Sequence, residues 1–247
     1  MRAFRTMLKV ELKLSLREMD MFIFSICLPL VVLAVIVMLY GTCPAFAGAP
    51  YTFVEQSFPA LATISICAGG VMGLPLVVSD YRSRGILRRF RVTPVSPALI
   101  LLVQVVIYAL YALGSLFTLW AVAVLVLGLQ LHGSIPLFLL SYLLVMATMF
   151  CIGVLVGGVA ANSKSAGIFT SILYFPMLPF SGATLPYEVL PAAAQKIADL
   201  LPLTQGIKLL KAAPLGLPVK EVWISILVML VFIVACAVLA IRLFRWE

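Results

Sequence analysis

Apolar residues fall in six long runs along this chain, and polar residues lie almost wholly between them. The runs occupy residues 22–40, 58–79, 98–128, 136–160, 166–181 and 221–241. Nineteen residues of helix, at about 1.5 Å each, reach roughly 28 Å, close to the hydrocarbon thickness of a bilayer. The run at 98–128 exceeds an upright crossing, so its first turns project beyond the bilayer or the helix tilts. The pattern predicts an all-α integral membrane fold of six spans, one domain over residues 1–247. Gly69, Gly70 and Gly73 in the second run, and Gly153, Gly157 and Gly158 in the fourth, permit close helix approach.

Three segments outside the runs have helical patterns of their own. Over 2–19, Arg5, Lys9, Lys13 and Arg17 recur every four residues, while Phe4, Met7, Leu8, Leu12 and Met19 gather on the other side. This predicts an amphipathic helix lying on the membrane surface and contacting lipid. Glu11 and Glu18 fall within its apolar arc. A carboxylate facing acyl chains is costly, so either that face meets protein or the helix is rotated to bring both acids to headgroups.

The loop 80–97 carries five arginines and no lysine. A short helix over 82–92 would set Ile86, Leu87 and Phe90 on one side and Arg88 and Arg89 on another, with Pro94 as its stop. An apolar knob with a basic rim suits docking into a groove on a soluble partner; a basic membrane anchor is the alternative. Between the last two runs, residues 187–200 and 204–213 have helical composition around Leu201-Pro202-Leu203. Each is too short to cross alone, so they are expected to form a helical hairpin over 187–213 that dips into the outer leaflet or packs on the spans.

Composition agrees with lipid as the solvent. Hydrophobic residues make up 64% and charged residues 11%, against about 45–50% and 25% in soluble domains. The net charge of +8 does not point to nucleic acid, because the cations sit between runs and at the ends. With both termini inside, thirteen Lys and Arg fall on the inner side and four on the outer: Lys196, Lys208, Lys211 and Lys220. That satisfies the positive-inside rule and sets both termini in the cytoplasm. Ala45-Phe46-Ala47 has the form of a cleavage site, but the preceding run is longer than a signal peptide's core, so the first span is expected to be retained. Of the five cysteines only Cys43 lies outside the apolar segments, and no CxxC pair exists.

Apart from Glu221, the first residue of the sixth, the six runs contain no Asp, Glu, Lys, Arg or His. Ion-coupled carriers and intramembrane hydrolases need such groups, so the chain offers no catalytic, metal or cofactor site. His132 stands at an outer turn without ligand partners. The pattern G-x-x-x-x-G-K-[ST] matches nowhere, so ATP-driven work would need a second polypeptide.

Three motifs carry a resemblance. Arg84-Gly85-Ile86-Leu87-Arg88-Arg89-Phe90, followed by Thr93-Pro94-Val95-Ser96, lies between spans two and three. Phe175-Pro176-Met177 precedes Ser181-Gly182, Pro186, Glu188 and Leu190-Pro191. Leu200-Leu201-Pro202-Leu203-Thr204 stands before the sixth span. In their order, and with the six-span layout, they make the chain resemble the permease subunit of ABC type-2 exporters. The resemblance implies that 2–19 is the elbow helix and that 82–92, with Arg82 to Phe90, is the coupling helix touching an ATPase. It implies that 187–213, with Pro176, Gly182, Pro186, Pro191, Pro202 and Thr204, forms an outer gate. Two permeases, identical or sibling, and two ATPases would make one exporter in the bacterial inner membrane. ATP and Mg would be held by the ATPase, with no cofactor in this chain. The run Asp80-Tyr81-Arg82-Ser83-Arg84 departs from the family habit of acids just before the coupling glycine. A channel or uncoupled facilitator, and a sensor or immunity subunit sharing the permease fold, are also compatible with the sequence.

Overall fold

The computed structural model describes residues 2–17, 19–41, 43–44, 51–86, 97–128, 134–182, 191–215 and 219–243. Among these the chain is helical, with one isolated antiparallel bridge, Pro44 to Thr52, in place of any strand. Helix α1 is Arg2–Ser15. Helix α2 covers 19–40, α3 covers 53–83 and α4 covers 97–126. Helices α5 (Ile135–Val159), α6 (Ser163–Phe180), α7 (Ala192–Ala198), α8 (Pro202–Leu215) and α9 (Val219–Leu243) follow. Five segments are long and apolar enough to cross a membrane: Ile23–Tyr40, Phe53–Ser83, Ala98–Val126, Ile135–Val159 and Val222–Ala240. Helix α6, with Lys164 in its first turn and Pro176 and Pro179 inside, is not among them.

Helix α3 is the centre of the bundle. It is apolar on every side, and a helix of that kind must be covered all round by other helices. It packs on α2, α4, α5, α6 and α8, and 83% of its most apolar window is buried, against 17% for α2 and 22% for α9. The last two therefore present their apolar faces outward.

The start of α3 lies five residues before the run read from the sequence. Thr52 accepts from the Glu55 amide at 3.2 Å, and the Glu55 carboxylate accepts from the Thr52 amide at 2.7 Å. This reciprocal pair closes two of the amides a helix start leaves unpaired. Glu55, which lies between the first two apolar runs, is thus a capping residue.

The seam between α3 and α5 depends on glycine. A π-turn at Ala68–Gly73 brings the Gly70 carbonyl to the place that a Cβ on Gly153 would occupy. A Cβ on Gly157 would stand 3.0 Å from the Cα of Pro75 and 2.9 Å from the Cβ of Val78. In lipid, helices associate through close packing rather than burial from water, and small residues allow it.

Helix α1 stops at Ser15, with a turn at Leu16 and Arg17, short of the expected 2–19. Phe4, Met7, Leu8 and Leu12 pack against Val103, Ile107 and Tyr111 of α4, and Ser15 donates to the Tyr111 hydroxyl at 3.1 Å. Met19, expected on the same face, opens α2 instead and is exposed.

Candidate functional site

The chemistry-bearing side chains converge on the last turn of α3. A helix turns about 100° per residue, so three consecutive side chains aim in three directions. Asp80, Tyr81 and Arg82 use all three.

Asp80 and Arg82 grip the turn that joins α5 to α6. The Arg82 guanidinium, nearly buried, donates to the Gly158 carbonyl at 2.8 Å. Gly158 is among the last four residues of α5, whose carbonyls lack intrahelical partners and carry the negative end of the helix dipole. Asp80 accepts from the Ser163 hydroxyl at 3.3 Å. Ser163 is the first residue of α6, just after its Asn162 cap, where the dipole is positive. Each charge therefore faces the helix end of opposite sign. Asp80 also pairs with Arg84 at 2.8 Å.

Tyr81 reaches the other way. Its hydroxyl donates to the Glu11 carboxylate at 2.7 Å. Gln104 of α4, almost buried, donates to the same carboxylate oxygen at 3.0 Å and to the Tyr81 hydroxyl at 3.1 Å. The three side chains close a ring joining α1, α3 and α4. Glu11, one of the two acids in the apolar arc of 2–19, thus meets protein. Glu18 lies outside the described residues.

Helix α3 ends where this turn ends. The Arg84 amide bonds to the Asp80 carbonyl and the Gly85 amide to the Arg82 carbonyl. Gly85 has φ +67°, a left-handed value that favours glycine, while the space around its missing Cβ is open. Glycine is needed there for backbone conformation, not for room. Ile86 is helical again. Of the residues assigned to the 82–92 helix, Arg82 belongs to α3 and points inward, Arg84 is largely exposed, and Leu87, Arg88, Arg89 and Phe90 lie outside the described residues. Arg5, Lys9, Lys13 and Arg17 are all exposed on the α1 side.

At the other end, α8 is inserted among α3, α5 and α9. Residues 202–207 are buried without a break. Gly206 lies against Val145 and Met229, so α8 reaches about ten residues, roughly 15 Å, below the start of α5. Gln205 accepts from Ser225 of α9 at 2.8 Å and donates to the Asp199 carbonyl at 2.7 Å. Pro202 and Thr204 are buried here, Gly182 ends α6 with φ +85°, and Pro176 and Pro191 are exposed. Pro186 lies outside the described residues.

Sequence reasoning named Arg82, Arg84 and Glu11 but missed Asp80, Tyr81, Gln104, Ser163 and Gln205 as contacts. A usable signal existed for Gln104, the single carboxamide in the 98–128 run.

The family model described as ABC-2 type transporter matches residues 2–215. The chain is 32% identical over 87 residues to the inner membrane transport permease YhhJ of Escherichia coli, covering 35% of this chain and 23% of that protein. It is 33% identical over 94 residues to nodulation protein J of Rhizobium leguminosarum bv. viciae, covering 38% of this chain and 36% of that one. The matched stretch thus spans well under half the length of these relatives. No solved structure matches. A helical membrane bundle, with the family model matching most of its length, makes this chain a member of the ABC-2 type transporter family.

Proposed function

We propose that this chain is the permease subunit of an ATP-driven exporter. It forms, with a second copy or a sibling, the path for an amphiphilic or hydrophobic cargo such as a drug, lipid, lipid-linked glycan or peptide. A separate ATPase, two copies per assembly, docks on the segment that leaves α3 at Gly85. The observation that carries this reading is the last turn of α3. Asp80, Tyr81 and Arg82 bond it to α6, α1, α4 and α5 at once, so force applied just beyond Gly85 is delivered to these four helices together.

In this reading α6 also crosses the membrane, as the fifth span in chain order, and brings the total to six. Its eighteen residues give roughly 27 Å of helix, enough to cross when Lys164 reaches a headgroup. The excess of Lys and Arg at the α1 end makes that end cytoplasmic, with both termini inside. Helix α1 is then the elbow helix, and α7 with α8 is a re-entrant element at the outer side. The name of the Escherichia coli relative supports an inner-membrane location. ATP binding would draw the two ATPases together, and the linked helices would turn as rigid bodies to open the path outward.

The test is Phe90→Asp. A carboxylate on the apolar knob of the docking segment should abolish co-purification with the neighbouring ATPase while the permease still reaches the membrane. Undiminished co-purification would remove the docking claim. Cargo flux through the permease in the ATPase's absence would favour an uncoupled facilitator.

A further inference from the structure

From the ring of Glu11, Tyr81 and Gln104 we infer that Glu11 is a positioning residue that makes α1 travel with the docking segment. The inference rests on the exporter reading above and adds a role that neither the motifs nor the basic stripe of α1 supplies.

Three observations carry it. The first is that Glu11 uses one oxygen to accept from both Tyr81, at 2.7 Å, and Gln104, at 3.0 Å. Two donors converging on one acceptor oxygen, each with its own angular demand, fix both the rotation and the axial position of a helix. The second is that no ion pair among the described residues involves Glu11. Its charge is held by neutral donors, so it serves geometry rather than neutralisation. The third is position. Tyr81 lies between Asp80 and Arg82, four residues before Gly85. Apolar packing of Phe4, Met7, Leu8 and Leu12 on α4, with the Ser15–Tyr111 bond at one end, would keep α1 on α4 yet leave it free to slide relative to the end of α3, since apolar contacts have no direction. The ring removes that freedom. Helix α1, α4 and the end of α3 become one body, and a displacement at Gly85 moves all three.

The experiment uses the permease with its ATPase in lipid nanodiscs, in a background with the five native cysteines replaced. One nitroxide pair, Ser83→Cys with Ser134→Cys, reports whether nucleotide moves the end of α3 relative to the far end of the bundle. A second, Lys9→Cys with Ser83→Cys, reports whether α1 follows; all three positions are exposed. Distances are measured without nucleotide and after trapping with ATP and vanadate. The first pair should shift and the second should stay fixed. Glu11→Ala should make the second pair shift by about 1–2 Å or more on trapping, the scale of helix shifts, and should roughly double the width of its distribution. Glu11→Gln, whose amide oxygen still accepts from both donors, should restore wild-type behaviour; a purely electrostatic role would not be rescued. Tyr81→Phe keeps the Glu11–Gln104 bond and should give an intermediate width, which preserves the test if Glu11→Ala fails to fold. A second pair that shifts in the unmodified ring, or stays fixed in Glu11→Ala, overturns the inference alone. A first pair that never moves overturns the nucleotide-driven reading and this inference with it.

Discussion

The two ends of the bundle are held by different forces. At the α1 end, one helical turn reaches four other helices through directional bonds, several of them to charged groups. At the opposite end, α8 is held mainly by burial: residues 202–207 are covered and Gly206 abuts Val145 and Met229, while Gln205 bonds to Ser225 and to the Asp199 carbonyl and Lys208 forms an exposed pair with Asp199. Dispersion contacts tolerate sliding by fractions of an ångström, whereas charge-assisted hydrogen bonds lose strength steeply with angle and distance. The α1 end is therefore suited to passing a displacement onward, and the α8 end to yielding to one.

Arg82→Ala should produce the largest effect among substitutions that sharpen this contrast. It removes a nearly buried cation and leaves the Gly158 carbonyl without that donor. The expected destabilisation is about 1–3 kcal/mol, read from denaturant unfolding in detergent. Because the turn between α5 and α6 loses one of its two grips, ATPase association should fall as well. Lost stability with unchanged association would mean that this end is a structural clamp with no part in docking.

The spans behind this contrast were legible in the amino-acid order, and the contrast itself was not, for identifiable reasons. The apolar runs at 22–40 and 98–128 match the spans Ile23–Tyr40 and Ala98–Val126 closely, because length and apolarity alone decide what can cross lipid. The glycines at 70, 153 and 157 were readable as close-approach sites, though not as partners of one another. Thr52-x-x-Glu55 is a legible capping box that the polarity of Glu55 disguised as a loop. Glu11 announced itself by sitting in an apolar arc, but its partners are 70 and 93 residues away, and no local pattern identifies them. The grip of Asp80 and Arg82 on the α5–α6 turn was hidden for the same reason: the dipole ends they face are created by tertiary packing. The buried depth of α8 was hidden too, since a helix of fourteen residues reads equally well as surface.

Gln205→Leu should have a smaller effect, confined to the other end. It removes the bonds to Ser225 and to the Asp199 carbonyl while preserving apolar volume. Interhelical hydrogen bonds of this kind in membrane proteins contribute about 0.6 kcal/mol and at most about 1.7. Unfolding should report a loss in that range, with ATPase association unchanged. Reduced association would show that the two ends are coupled more tightly than their bonding suggests.

Arg84→Ala should be the mildest change to the fold. The guanidinium pairs with Asp80 at 2.8 Å, but its side chain is 71% exposed and that of Asp80 34%. Exposed i,i+4 pairs are screened by water and contribute only about 0.3–0.5 kcal/mol. Asp80 would keep its bond to Ser163, so the grip on α6 should survive and unfolding should hardly change. Association is the more telling measurement. Arg84 is the exposed cation immediately before Gly85, next to the proposed docking segment, and on that proposal its loss should weaken ATPase binding in a salt-dependent way. A stability loss as large as that of Arg82→Ala would shift the weight of this end from its buried bonds to its exposed pair, and the contrast between the two ends would then rest on surface charge rather than on the geometry of one turn.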